Sequence, residues 1–153
     1  MTEISQPAPD FTLPATGGEE ITLSALKGQP VVLFFYPRDD TPGCTKESIA
    51  FSESREAFEA AGAKVFGVSK DSIASHEKFA TKRDLSIPLL SDENGTVCED
   101  YGVWKEKNMY GKKYMGIERT TYLIASDGTV AQVWNKVKVP GHAEAVLEAV
   151  RAL

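Results

Sequence analysis

The stretch "GQPVVLFFYPRDDTPGCTKE" (residues 28–47) runs an unbroken apolar segment into a Pro-Gly turn and sets one of only two cysteines directly behind it. A continuous apolar run closed by Pro37 reads as a strand covered on both faces, since no position is left to alternate toward water. Helix-friendly residues follow. From Thr45 to Ala61, Ile49, Phe51, Phe58 and Ala61 recur at helical spacing and Gly62 is a stop signal, so one helix is predicted over 45–61. Cys44 therefore falls between a strand end and a helix start, where ligands meet open α/β sheets.

The same grammar continues in both directions. "QPAPDFTLPATGGEE" (6–20) is a Pro/Gly-punctuated lead-in, with "FTL" and "ITL" as short strands around its Gly-Gly turn. "AKVFGVS" (63–69) is a second buried strand, Asp71 or Ser72 caps a helix over 73–82, and "SIPLLSD" (86–92) is a third strand. "NGTVCEDYGV" begins a short helix. "RTTYLIA" and "TVAQVWN" flank "SDG" as a hairpin, and "GHAEAVLEAVRAL" closes the chain as an amphipathic helix with Ala143, Val146, Leu147 and Val150 on one face. Strands joined by helices are parallel and the hairpin adds antiparallel ones. The expectation is a single α/β domain over 1–153, with a mixed central sheet, helices on both faces and a thioredoxin-like layout.

Composition narrows the partners. With 153 residues, 42% hydrophobic and 25% charged, the chain is long enough for an ordinary core. A net charge of −5 argues against nucleic acid or an anionic membrane surface. "MTEISQPAPDF" has no basic start and no apolar stretch, so no secretory leader is expected, and no apolar run approaches a membrane span. Cys44 and Cys98 form no disulfide framework and no zinc spacing, which predicts a cytoplasmic chain with reduced thiols. No glycine-rich nucleotide motif is present and the two histidines, His76 and His142, stand apart on predicted surface positions. No cofactor and no metal are therefore expected.

A thiol becomes a nucleophile when it loses its proton, which a helix N-terminus or a neighbouring cation favours. Thr41, held extended by Pro42, can turn its hydroxyl toward the sulfur as donor or acceptor. Pro37 fixes the strand end and can shield the site from water, while Gly43 lets a small ligand approach the backbone. A free cysteine is also commonly a small buried hydrophobe, and these residues alone leave both readings open.

Pro37, Thr41 and Cys44 in "YPRDDTPGCTKE" have the spacing of the peroxiredoxin active-site motif. Together with "LLSDENGTVCEDYGVW" (89–104) and "GIERTTYLIASDGTV" (116–130), the chain resembles the peroxiredoxin Q, or bacterioferritin comigratory protein, subfamily from about Gln6 onward. The resemblance implies that Cys44 is the peroxidatic cysteine, attacking hydrogen peroxide or small organic hydroperoxides and becoming a sulfenic acid. It implies that Arg119 stabilises the thiolate and the peroxide oxygens. Pro37, Thr41, Gly43, Cys44 and Arg119 would then bind substrate, and Glu47 would orient Arg119. A first-turn glutamate favoured by the helix dipole explains Glu47 as well.

Subfamily members place a resolving cysteine five residues after the first or near residue 80, and here Ile49 and Ala80 stand there. Cys98 is then either a packing residue or the resolver. If it packs, the enzyme is of the one-cysteine type, recycled by thioredoxin or a glutaredoxin-type thiol donor. A thioredoxin-type oxidoreductase would need a cysteine where Glu47 stands. A redox sensor that relays oxidation from Cys44 to a partner remains the non-enzymatic alternative. "NMYGKKYMG" (108–116) reads as a basic aromatic loop, either solvated or a rim for substrate or reductant. The chain is expected to be a monomer or weak dimer.

Overall fold

The computed structural model describes residues 3–153, so Met1 and Thr2, the start of the stretch read as leaderless, lie outside it. In chain order the elements are β1 (Thr12–Ala15), β2 (Glu19–Thr22), a 3-10 turn (Leu23–Leu26), β3 (Val31–Phe35), α1 (Pro42–Glu53), α2 (Arg55–Ala60), β4 (Lys64–Ser69) and α3 (Ile73–Arg83). They continue with β5 (Leu89–Ser91), α4 (Val97–Asp100), β6 (Trp104–Met109), β7 (Lys112–Ile117), β8 (Thr120–Ile124), β9 (Val130–Trp134) and α5 (His142–Arg151). Seven strands form one sheet in the order β2-β1-β5-β4-β3-β8-β9, while β6 and β7 pair with each other.

β3 lies at the centre, parallel to β4 and antiparallel to β8. Every one of its residues is buried, as the apolar run requires. Alternation sends Val31, Leu33 and Phe35 into one core cluster and Val32, Phe34 and Tyr36 into the other. The second cluster receives Phe51, Phe58, Phe79 and Val146 from α1, α2, α3 and α5. The first is covered by the lead-in, the 3-10 turn and the short α4, so the two faces are dressed unequally. Gly67 of β4 is packed tightly on the second of these faces: a Cβ there would sit 2.8 Å from Phe34 and Leu89 side-chain atoms.

Two local expectations are corrected. The helix begins at Pro42, three residues early, with Pro at its first turn where a missing N–H costs nothing. It also breaks at Ser54 instead of running to Ala61. The loop at Ser86 draws the chain aside there, its hydroxyl donating to the Ser52 carbonyl while Arg55 donates to the Ser86 carbonyl. The segment read as a loop over 108–116 is the tip and second strand of the β6–β7 hairpin, turning at Tyr110 and Gly111, both with positive φ.

Phe51 ties α1 to the sheet, stacking on Phe34 at 4.5 Å and meeting Phe58 at 5.9 Å. Phe51→Ala is expected to lower unfolding free energy by about 3–5 kcal/mol in urea titration. A loss below about 1 kcal/mol would contradict this packing role.

Candidate active site

The β3–β8 register decides the site. Phe35 pairs with Thr120, so Arg119 comes level with the carboxyl end of β3. Helix α1 starts at the same end, and its first turn carries Cys44, buried to 1% exposure. Arg119 Nη2 donates to Cys44 Sγ at 3.2 Å and Nη1 donates to Glu47 Oε1 at 2.7 Å. Gly43 gives this guanidinium its room, since a Cβ there would lie 3.1 Å from Nη2. Cys44 and Glu47, neighbours on α1, thus meet around the guanidinium of Arg119, 75 and 72 residues further along the chain.

The electrostatics are those of a nearly dry cluster. Burial pushes the Glu47 carboxyl up to about 7 despite the attraction of Arg119, and its Oε2 has no hydrogen-bond partner among the described residues. Burial opposes the charge of Arg119 too, but Glu47 and then Cys44 outweigh it and hold the guanidinium above its ordinary value. The thiol therefore faces a permanent positive charge.

Thr41 is the N-cap residue, yet its side chain caps nothing and donates to the Arg38 carbonyl at 2.9 Å. With that proton committed, the hydroxyl oxygen can only accept from a ligand, which narrows the expected donor-or-acceptor role. The first-turn N–H groups of Gly43 and Cys44 have no intrahelical acceptor. The helix start expected at the thiol and the backbone approach expected at Gly43 thus resolve into these two donors, with Pro42 at the first helical position. Pro37 is half-buried at the end of the strand.

The loop from Pro37 to Thr41 is fastened to α3. Asp39 accepts from Tyr36 at 2.6 Å and Ser75 at 2.7 Å, and its Oδ2 lies 2.7 Å from His76 Nδ1. His76 Nε2 donates to the Leu90 carbonyl, and Asp71 accepts from the Asp39 N–H and the Ser69 hydroxyl. Asp39, Asp71 and His76 lie close enough to bracket a cation, but their facing atoms are engaged with one another and with these donors. Burial raises the Asp39 carboxyl, and hydrogen bonds from His76 and Tyr36 overcome it to leave Asp39 below its ordinary value. Asp40 is held by Lys82 at 2.6 Å and Arg83 at 2.9 Å.

Both histidines are buried, contrary to the surface placement expected for them. His76 belongs to the network just described. His142 shares a 2.8 Å hydrogen bond with Thr121, and burial, then the charge of Arg119, pushes it down to about 4.

Cys98 stands apart. It is fully buried in the core cluster on the opposite face of the sheet from Cys44. Its backbone N–H donates to Asp92 at 2.8 Å, and burial, then that carboxylate, pushes its thiol well above the ordinary range.

The AhpC/TSA family model matches residues 4–133. Peroxiredoxin Bcp of Xanthomonas campestris is 49% identical over 148 residues, spanning 95% of this chain and 92% of that one. A solved structure of Xanthomonas campestris peroxiredoxin Q superposes with a TM-score of 0.91 at 47% identity, covering 99% of this chain and 96% of that one. Another, of the bacterioferritin comigratory protein of that organism, was solved as trapped intermediate and ligand complexes bearing on alkyl peroxide reduction. It gives a TM-score of 0.90 at 46% identity, covering 99% and 97%.

Because the Glu47 carboxyl is raised from about 4.5 when unfolded to about 7 when folded, its contribution to stability is complete below the first value and lost as pH rises through the second. Relative to Glu47→Gln, the wild type is expected to lose on the order of 2–3 kcal/mol between these pH values. Urea titrations of both proteins across that window check it, since the comparison cancels the opposite contribution of His142. A constant difference would contradict the assignment.

Proposed function

The chain belongs to the AhpC/TSA family and, within it, to the Bcp/peroxiredoxin Q peroxiredoxins, which are thiol-dependent peroxidases; from that premise we propose that Cys44 is the thiol that cleaves the peroxide bond. The observation that carries this reading is the Arg119 guanidinium held between Cys44 Sγ and the buried Glu47 carboxyl.

The thiolate sulfur attacks the terminal oxygen of ROOH with an electron pair. The O–O bond breaks, Cys44 becomes a sulfenic acid, and RO⁻ leaves and takes a proton to become ROH. Two oxygens must be aligned with sulfur, and the negative charge moves from sulfur to the departing oxygen. Arg119 answers both needs, because its fork of donors faces the thiolate at the start and follows the charge outward. The free N–H groups of Gly43 and Cys44 receive a peroxide oxygen, and the Thr41 oxygen accepts the hydroperoxide O–H. Pro37 shields the site from water. Glu47 is a positioning residue that acts through Arg119.

The substrates are hydrogen peroxide and small organic hydroperoxides. The work on alkyl peroxide reduction by the Xanthomonas relative supports the second class. We assign a one-cysteine cycle. Ile49 and Ala80 occupy the usual resolving positions, and reaching Cys98 would mean crossing the sheet from one core cluster to the other. The sulfenic acid is reduced by an outside thiol, thioredoxin or a glutaredoxin-type donor.

Turnover measured with a thiol donor tests the assignments. Cys44→Ser is expected to reduce it to background, whereas Cys98→Ser retains it. Arg119→Ala is expected to lower kcat/KM for peroxide by roughly 10²–10³-fold and to slow alkylation of Cys44 at neutral pH. Retained turnover in Cys44→Ser would refute the nucleophile, and an unaltered alkylation rate would refute the role of Arg119.

A further inference from the structure

Six large hydrophobic side chains are exposed among the described residues, and four of them lie on the β6–β7 hairpin. They are Met109 at 55%, Tyr110 at 98%, Tyr114 at 44% and Met115 at 48%, while the other two, Ile4 and Leu153, sit near the chain ends. Single exposed apolar residues are ordinary, but such a concentration on one projecting element marks an interaction surface. The hairpin stands outside the seven-stranded sheet, so these side chains are not the margin of the core. Charge sets it apart as well. Residues 104–117 hold Lys105, Lys107, Lys112 and Lys113 against Glu106 alone, on a chain whose net charge is −5.

The root of the hairpin is at the reacting thiol. β7 leads through Glu118 into Arg119, and Lys107 is half-buried within electrostatic reach of Arg119 and Cys44. Tyr110 lies three residues beyond Lys107, roughly 10 Å at the rise of a strand. A partner that buries about 800 Å² of this chain covers a disc of roughly 16 Å radius. A protein that brings its own thiol to Cys44 therefore spreads over the hairpin.

We propose that the β6–β7 hairpin is the docking surface for a dithiol reductant protein whose face around its reactive cysteine is acidic with an apolar centre. The lysines steer that face and Tyr110, Met109 and Tyr114 anchor it. The proposal rests on the reading that an outside thiol reduces Cys44. One thiolate of the partner attacks the sulfenic sulfur, forming an S–S bond, and the hydroxyl leaves as water with a proton. The second partner thiol then displaces Cys44 as thiol and leaves the partner as a disulfide, so the partner supplies both electrons.

The test is steady-state turnover at saturating hydroperoxide with either dithiothreitol or a reduced thioredoxin of net negative charge, across a salt series. The variants are Lys112→Glu with Lys113→Glu, and separately Tyr110→Ser at the fully exposed tip. Expected is about a ten-fold fall in kcat/KM for thioredoxin in the double variant at low salt, closing as salt rises, and a smaller, salt-independent fall in Tyr110→Ser. Rates with dithiothreitol stay at the wild-type value. Wild-type kcat/KM for thioredoxin in both variants overturns the proposal, as does an equal loss with both donors. A wild-type dimer in sedimentation that the variants lose would make a second copy the occupant and overturn it too. A wild-type protein inactive with both donors would refute the peroxidase reading beneath it.

Discussion

One guanidinium holds the site together. Arg119 touches the Cys44 sulfur at 3.2 Å and the Glu47 carboxyl at 2.7 Å, and each of those groups is almost wholly buried. A lone cation in that position would be costly, as would either acid without it. Their mutual dependence explains why the fold spends so much on placing Arg119. The antiparallel register of β8 against β3 brings it to the strand end, and the absence of a side chain at Gly43 lets it approach the helix. Burial pushes the Glu47 carboxyl up to about 7 even as its Oε1 accepts from Arg119.

The first turn of α1 is held from a second side. The loop before it is pinned to α3 through Asp39 at Ser75 and His76, and through Asp40 at Lys82 and Arg83. Asp39 is inside the protein and therefore carries more weight than the exposed Asp40 pairs, which solvent screens. This mooring keeps Thr41 and the open N–H groups in place beside the thiol. It also bears on chemistry after oxidation. With the loop fastened and Cys98 in the core cluster on the far face of the sheet, the proposed cycle leaves the oxidised sulfur to an outside thiol, for which the basic, apolar hairpin is the proposed docking surface.

Much of this was legible in the sequence because certain patterns have a single physical reading. An apolar run closed by Pro37 has to be a covered strand, and a cysteine behind Pro42–Gly43 has to lie at a helix start. Ser72 was legible as a cap and is one, accepting from the Ser75 N–H. What escaped was decided by remote partners. The break at Ser54 depends on Ser86, and the burial of His76 and His142 depends on Asp39, Leu90 and Thr121, none of them neighbours in sequence. The β6–β7 hairpin escaped for another reason. Its strands mix charged and apolar residues on both faces and show no alternation, leaving Tyr110–Gly111 as the sole turn signal. Only its root reaches the core, through Trp104 and Ile117, and its outer part leaves its tyrosines and methionines in solvent.

The most direct test of the account is the intact mass of the wild-type protein after one equivalent of hydroperoxide without reductant, quenched in acid, with the modified residue located by fragmentation. One added oxygen on Cys44 is the expected result, with Cys98 unmodified. Loss of two hydrogens, with Cys44 and Cys98 joined, would contradict the separation of the two thiols on which the one-cysteine cycle rests. An unmodified Cys44 would contradict the site itself.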